Sequence, residues 1–252
     1  VTTRELKECT ELHKIPGMHH FIEFGRVPYI TEEIARTAAF EKKMKSVPEL
    51  LKLPNLTGRQ RQSILHFQDT QVPIPRNEIT LLHAALGKIL KKKVKGESKT
   101  IVCGSYRRGL PISKDMDVLI SGDTNRLAEC TKALLDSGFL IEKIRHGNVL
   151  MSGLCRFQPS YGKEFQDRPH HPARRIDIRW ISPESFWPAV VYFTGSSNFN
   201  IDMRRRAADM GYRLNEYGIT RKGRKRRIPI ESEEALFKLL GMPYREPRNR
   251  SR

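Results

Sequence analysis

Asp115 and Asp117 stand two residues apart at the head of an apolar run, Met116-Asp117-Val118-Leu119. A third acid, Asp177, is enclosed in Ile176-Asp177-Ile178. Alternate residues of a strand share a face, so Asp115 and Asp117 project to one side, roughly 6.6 Å apart at Cα. Three carboxylates at strand centres are costly unless something positive is bound among them. The ion they suit is Mg²⁺, which takes a few carboxylates and completes its shell with water and phosphate oxygens. Two such ions roughly 3.5–4 Å apart clamp the attacking and leaving oxygens of a phosphoryl displacement. The metal ligands expected are therefore Asp115, Asp117 and Asp177, with two Mg²⁺ ions and Mn²⁺ as an alternative.

Just upstream, the β-branched pair Ile101-Val102 reads as a strand ending in a turn at Gly104-Ser105. Glycine lets the backbone approach a phosphate closely, and Ser105 adds a hydroxyl and an N–H. Arg107 and Arg108 bring guanidinium forks for the remaining oxygens. Gly-Ser, a spacer, Asp-x-Asp and a distant strand Asp together form a nucleotidyltransferase signature. Composition points the same way. The 46 Lys and Arg outnumber 28 acids, for a formal charge of +18 and a pI near 10.0, and such a balance attracts phosphate backbones. Charge alone fits any basic soluble protein equally well.

The elements that must position these residues follow from periodicity. Residues 1–33 and 34–76 read as two helical regions, with a helix from Ala35 to Lys45, a short one at Val47 to Leu51, and a third from Gln60 to Phe67 that turns Ile64, Leu65 and Phe67 inward. A helix from Asn77 to Lys93 carries Ile79, Leu82, Leu86, Ile89 and Leu90 on one stripe. A helix from Asn125 to Asp136 carries Leu127, Leu134 and Leu135 at helical spacing. Strands near Ile141–Ile144, Val149–Phe157 and Arg175–Ile181 complete a mixed sheet in a domain spanning 77–183. In the last domain, 184–252, helices run to Tyr192 and from Asn198 to Met210. A hairpin then pairs Tyr212–Tyr217 with Arg227–Ile230, and a helix follows near Glu233–Leu240. No run of 18 apolar residues predicts a membrane span, and no signal peptide is expected at Val1. Cys9, Cys103, Cys130 and Cys155 read as buried thiols of a reducing compartment, and the histidines show no metal spacing.

Gly104-Ser105-Tyr106-Arg107-Arg108-Gly109, Asp115-Met116-Asp117-Val118-Leu119, Arg174-Arg175-Ile176-Asp177-Ile178-Arg179, Tyr192-Phe193-Thr194-Gly195-Ser196 and Tyr244-Arg245-Glu246-Pro247 resemble the family X DNA polymerases of the beta type. The likeness runs from Ile74 onward. It implies an α/β (α+β) fold: a nucleotidyltransferase palm, a helical N-terminal region of helix-hairpin-helix kind, and a small C-terminal thumb. It also implies template-dependent addition of deoxynucleotides to a primer 3′-hydroxyl in short DNA gaps, by a monomer in the nucleus or mitochondrion. Asp115, Asp117 and Asp177 would be catalytic, Asp177 also accepting the primer proton. Gly104, Ser105, Arg108, Lys114, Tyr192, Phe193, Gly195 and Asn200 would bind the nucleotide, and Arg175 and Arg204 the DNA. Arg179 and Glu216 would belong to an ion-pair switch.

Departures from the pattern limit this transfer. Lys114 stands where the family has Gly, Ser197 where Asp is usual, and Pro73 where a basic residue is expected. Ile15-Pro16-Gly17-Met18 and Phe21–Gly25 resemble the two ends of a lyase hairpin whose lysine-bearing helix is missing between them. Ala35–Phe40 resembles the later half of a second hairpin. Segments therefore look absent near 18–19 and 34–35, and lyase competence stays open. A nontemplated terminal transferase and a poly(A)-type enzyme share the Gly-Ser and Asp-x-Asp signature. A structural DNA-end binder is the non-enzyme alternative. The basic run Arg221–Arg227 reads equally as a phosphate contact, a localisation signal or a hairpin tip.

Overall fold

The structure is a computed structural model that describes residues 15–163 and 170–251; Cys9 lies outside them. Packing divides the chain after Gln71.

The first unit is helical. Helix α1 (Met18–Gly25) begins after Gly17. At φ 88° a Cβ on Gly17 would press within 3.2 Å of the Phe40 ring and the Ala39 carbonyl, so the turn requires glycine. Helix α2 (Glu32–Arg36) starts earlier than its apolar spacing predicts, because Thr31 Oγ1 accepts the Ile34 N–H and Glu32 and Glu33 occupy the first turn. It widens into a π-turn over Thr37–Glu41 and stops before Lys43, whose φ is 50°, not at Lys45. A 3₁₀ turn (Val47–Lys52) and helix α3 (Gly58–Gln71) complete the unit. In α3, Ile64 and Phe67 are buried, but Leu65 is 56% exposed, contrary to expectation. One core, from Phe24 through Ala38 and Leu50 to Phe67, crosses the expected boundary at 33/34. The junctions at 18–19 and 34–35 both fall inside continuous helix.

The second unit is built on the expected mixed sheet. Ile74–Pro75 (β1) pairs with Ile112–Ser113 (β3), and helix α4 (Arg76–Lys93) follows. Strands β2 (Lys99–Val102), β4 (Met116–Ser121), β7 (Ala173–Ile181), β6 (Leu150–Arg156) and β5 (Leu140–His146) lie side by side in that order. Only the β4–β7 pair is parallel. Between β2 and β3 stands the one-turn helix α5 (Gly104–Arg107). Helix α6 (Leu127–Asp136) is held at its start by Asn125 Oδ1, which accepts the Leu127 N–H at 3.0 Å.

Alternation assigns the two faces of the sheet. Met116, Val118 and Ile120, with Ile176, Ile178 and Trp180, pack under α4 and α6 against Ile79, Leu82, Leu86, Leu127 and Leu134. Leu135, at the edge of the α6 stripe, is 36% exposed. The opposite face is divided along its length. Leu119 and Ile181 are covered by Ala189 and Val190 of helix α7 (Phe186–Thr194), and the same rows end in Asp117 and Asp177. Helix α8 (Ser197–Asp209), strands β8 (Tyr212–Asn215), β9 (Gly218–Arg221) and β10 (Arg227–Ile228) and helix α9 (Glu233–Leu239) share a third core. The expected hairpin is corrected to three strands. β9 pairs with both neighbours, and β10 stops at Ile228 because Pro229 has no N–H to donate.

Cys103, Cys130 and Cys155 are buried free thiols, pushed by burial up to about 12, 11 and 12. No helix of the described residues is long and apolar enough to cross a membrane. An interior ion pair ties α4 to β7. Arg174, 2% exposed, donates at 2.7 and 2.9 Å to both oxygens of Glu78, which is fully buried. Breaking a buried pair strands the surviving charge. Glu78→Ala should therefore lose about 3–5 kcal/mol of unfolding free energy in urea titrations, whereas Leu65→Ala should change it by less than about 0.5 kcal/mol.

Candidate active site

The β4–β7 register makes Asp117 and Asp177 direct partners, on neighbouring strands roughly 4.8 Å apart. Asp115 is not within a strand. It lies in the turn that joins β3 to β4, two residues before Asp117, and is half-exposed. Burial, then the charges of Asp115 and Asp177, push the Asp117 carboxyl up to about 6, against the opposing pull of Arg179 and Arg108. A carboxyl raised by its own neighbours is a donor set short of positive charge, and hard divalent cations fit it. Gly104 shows how tightly the site is built. At φ +57° its Cα abuts the Asp117 carboxylate so closely that any Cβ would collide with Oδ2.

A cavity of about 940 Å³ opens beside the acids. Gly104, Ser105, Arg108, Lys114, Tyr192, Phe193, Gly195 and Asn200, all expected at a nucleotide, line it together with Asp115, Asp117 and Arg204. Ser105 Oγ donates to Ser113 Oγ at 2.7 Å. Arg108 Nη1 donates to the Thr194 carbonyl at 2.6 Å, while its buried Nε has no hydrogen-bond partner. An unmet buried donor on a guanidinium is suited to a phosphate oxygen. Tyr192 and Phe193 meet edge to face at 5.1 Å, and Asn200 Nδ2 holds the Tyr192 carbonyl at 2.7 Å. Lys114, Ser197 and Pro73, the three departures from the family pattern, line this same cavity. A second cleft of about 660 Å³, bounded by Lys91, Asp123 and Trp187, lacks the acid trio.

One expected role is placed differently, that of Arg107. Arg107 does not serve the cavity. Its two Nη atoms each donate at 2.9 Å to Glu233, and Nη1 also donates to Thr194 Oγ1 at 3.0 Å. Arg175 reaches Asp115 at 3.5 Å in an exposed pair. Arg179 lies over the Phe193 ring at 4.6 Å and makes no ion pair with Glu216, which sits in the β8–β9 turn. In the first unit, His19, His20 and Glu23 bring one ligand atom each within 4.8 Å of one another, which corrects the reading that the histidines have no metal geometry.

Sequence reasoning missed the support behind the cavity. Arg250, fully buried, donates to both Glu233 oxygens at 3.1 and 3.3 Å. Its carbonyl accepts the Ser196 N–H and hydroxyl, at 3.2 and 2.7 Å. Burial pushes the Glu233 carboxyl up, but hydrogen bonds from Arg107 and Arg250 outweigh it and hold the group below its usual value. Ser232-Glu233-Glu234 reads only as a helix cap, so nothing local announces this role. Thr194 receives both neighbours, Arg107 on its hydroxyl and Arg108 on its carbonyl.

The DNA polymerase beta palm model matches residues 73–183, and the DNA polymerase beta thumb model residues 189–251; together they span well over half of the chain. This chain belongs to the family X DNA polymerases. It is 29% identical to DNA polymerase lambda of Rattus norvegicus over 84% of its length, and 26% identical to DNA polymerase lambda of Arabidopsis thaliana over all of it. It is 24% identical to DNA-directed DNA/RNA polymerase mu of Homo sapiens over 84%. The chain spans only 39% to 50% of those relatives' lengths. Among solved structures, Leishmania infantum polymerase beta in a ternary primer/template complex shares 28% identity over 94% of this chain, with a TM-score of 0.78. The palm and thumb of this family X chain thus carry the acids and the cavity.

Two outcomes follow. An acid with a raised pKa makes the metal-free fold lose stability as pH rises from about 4 through about 6. A bound divalent ion must displace that proton. Mg²⁺ should therefore raise the melting temperature more at pH 7.5 than at pH 5.5, and Asp117→Asn should remove this pH dependence in scanning calorimetry. Glu233→Ala should cost about 3–5 kcal/mol in chemical denaturation, since it strands two arginines.

Proposed function

We propose that this chain is the catalytic portion of a template-dependent DNA polymerase that adds deoxynucleotides to a primer 3′-hydroxyl in short DNA gaps, as in base excision repair. The observation that carries the reading is the register pairing of Asp117 with Asp177 beside a cavity containing Ser105, Arg108, Tyr192, Phe193 and Asn200. Asp115, Asp117 and Asp177 hold the divalent ions, two Mg²⁺ in this reading. When bound, these ions neutralise the 3′-oxyanion and the leaving pyrophosphate. Asp177 accepts the primer proton. Ser105 and Arg108 bind the β- and γ-phosphates, Arg108 through the Nε that the protein leaves unmet. Charge neutralisation and in-line positioning supply the rate, since phosphoryl transfer asks little covalent chemistry of the protein.

The aromatic pair faces the sugar, and a stiff ring leaves no room for a 2′-hydroxyl. Asn200, fixed on the Tyr192 carbonyl, reaches the minor-groove edge of the incoming base. Acceptors there are shared among bases, so it checks pairing geometry rather than identity. Arg204 lines the same cavity and faces the template strand. The names of the relatives favour this reading over a terminal transferase, a poly(A)-type enzyme or a structural end binder. DNA and deoxynucleoside triphosphates are the partners, and the nucleus or the mitochondrion is the compartment.

The test is extension of a primer on gapped DNA, one nucleotide at a time, with and without Mg²⁺. Only the nucleotide that pairs with the template should be added, and chelation should stop the reaction. Asp177→Ala should lower kcat at least about 100-fold while DNA affinity changes little. Normal extension by that variant would sink the mechanism. Phe193→Ala should admit ribonucleotides that the parent rejects.

A further inference from the structure

The β9–β10 connection is left without a task by this reading. Arg221, Lys222, Arg224, Lys225, Arg226 and Arg227 give it six positive charges in seven residues, and every residue of the stretch is exposed. None of these six forms an ion pair with a described residue, and no acid occurs between Glu216 and Glu231. A solvated helix face mixes signs, but this tip does not.

Nor is it a loose tail. Thr220 and Ile219 pair with Arg227 and Ile228 across its base, and Arg224 N–H closes the tip on the Arg221 carbonyl at 3.0 Å. Arg227 Nη1 donates to Ser185 Oγ at 3.0 Å. Lys222 N–H donates to the Gly211 carbonyl at 2.8 Å, which fixes the tip just beyond the C-terminal end of α8. The same helix carries Arg204 in the cavity and exposed Arg205. From Arg204 to Asp209 the helix advances about 7.5 Å, or about two base-pair steps of a duplex. A basic track therefore leaves the cavity along α8 and ends at a rigid, unneutralised tip.

We infer that the tip from Lys222 to Arg226 grips the phosphate backbone of duplex DNA several base pairs from the reacting end. This rests on the polymerase reading and adds to it a sequence-independent handle on the duplex arm, outside the acid site. Each phosphate neutralised contributes about 0.9 to the slope of log affinity against log salt. Four exposed cations on one short connection are enough to move that slope measurably.

The experiment measures binding of the full chain to gapped duplex DNA by fluorescence anisotropy across a KCl series. The neutral variant Lys222→Ala/Arg224→Ala/Lys225→Ala/Arg226→Ala should bind at least 10-fold more weakly at 150 mM KCl, with a slope smaller by about 2–4. The charge-preserving variant Lys222→Arg/Arg224→Lys/Lys225→Arg/Arg226→Lys should match the parent, which separates charge from fold. Shortening one duplex arm should erase the difference between parent and neutral variant, while kcat at saturating DNA stays unchanged. An unaltered slope in the neutral variant overturns the inference. So does a neutral variant that binds DNA normally but no longer accumulates in the nucleus, because the tip would then be a transport address. Binding is read without turnover, so the inference stands or falls separately from the catalytic assignment.

Discussion

Three carboxylates converging at one end of a sheet repel one another, and the architecture around them answers that repulsion. The apolar ends of the same strand rows are covered by α7. Where the cover ends, Asp117 is still buried enough, and close enough to Asp115 and Asp177, for its carboxyl to rise to about 6. Arg179 and Arg108 offset part of the repulsion without pairing with it outright. The remainder is a standing affinity for divalent cations. The demand for a cation and the metal-free instability have the same origin, a sheet that cannot relax because its opposite face is a packed core.

The cavity wall needs a second constraint. Tyr192, Phe193 and Gly195 belong to α7 and the turn after it, while Ser105 and Arg108 belong to the short helix following β2. Two consecutive arginines join these pieces through one residue, Thr194. Arg107 is then shared with Glu233, and Glu233 with Arg250. A single carboxylate with two guanidiniums leaves a net positive cluster inside the protein, and the rings of Phe199, Phe237 and Tyr244 lie within 5.7 Å of the Arg250 guanidinium. Aromatic faces offset part of that excess charge.

Much of this was legible in the residues themselves. Asp-x-Asp, the Gly-Ser turn and the isolated Asp177 pointed to the acid cluster; strand alternation holds for Asp117 and Asp177, whereas Asp115 lies in the preceding turn. Helix stripes were read correctly where burial is one-sided, as in α4, and wrongly at Leu65, where an apolar residue on the edge of the stripe remains in water. The third thumb strand was missed because Gly218–Arg221 is short, with Ile219 its one apolar side chain. Glu233 and Arg250 were invisible because their partners are distant in sequence; a charge at a helix start signals a cap, whether or not it is also buried. Arg107 was misassigned for a related reason. Neighbouring arginines look equivalent in a sequence, but on one helical turn they point to opposite sides of the wall.

The reach of the Glu233 cluster also sets an order of events during synthesis. Its Arg107 contact closes a loop of 126 residues, and its Arg250 contact waits for residues emerging later still. The sheet with its three acids can collapse on α4 and α6 long before then, because every strand it needs lies before Ser182. A ribosome-bound chain therefore presents an assembled acid face with an unfinished wall. Such non-local closure is slow compared with helix formation, so the cavity wall is completed after the acid face.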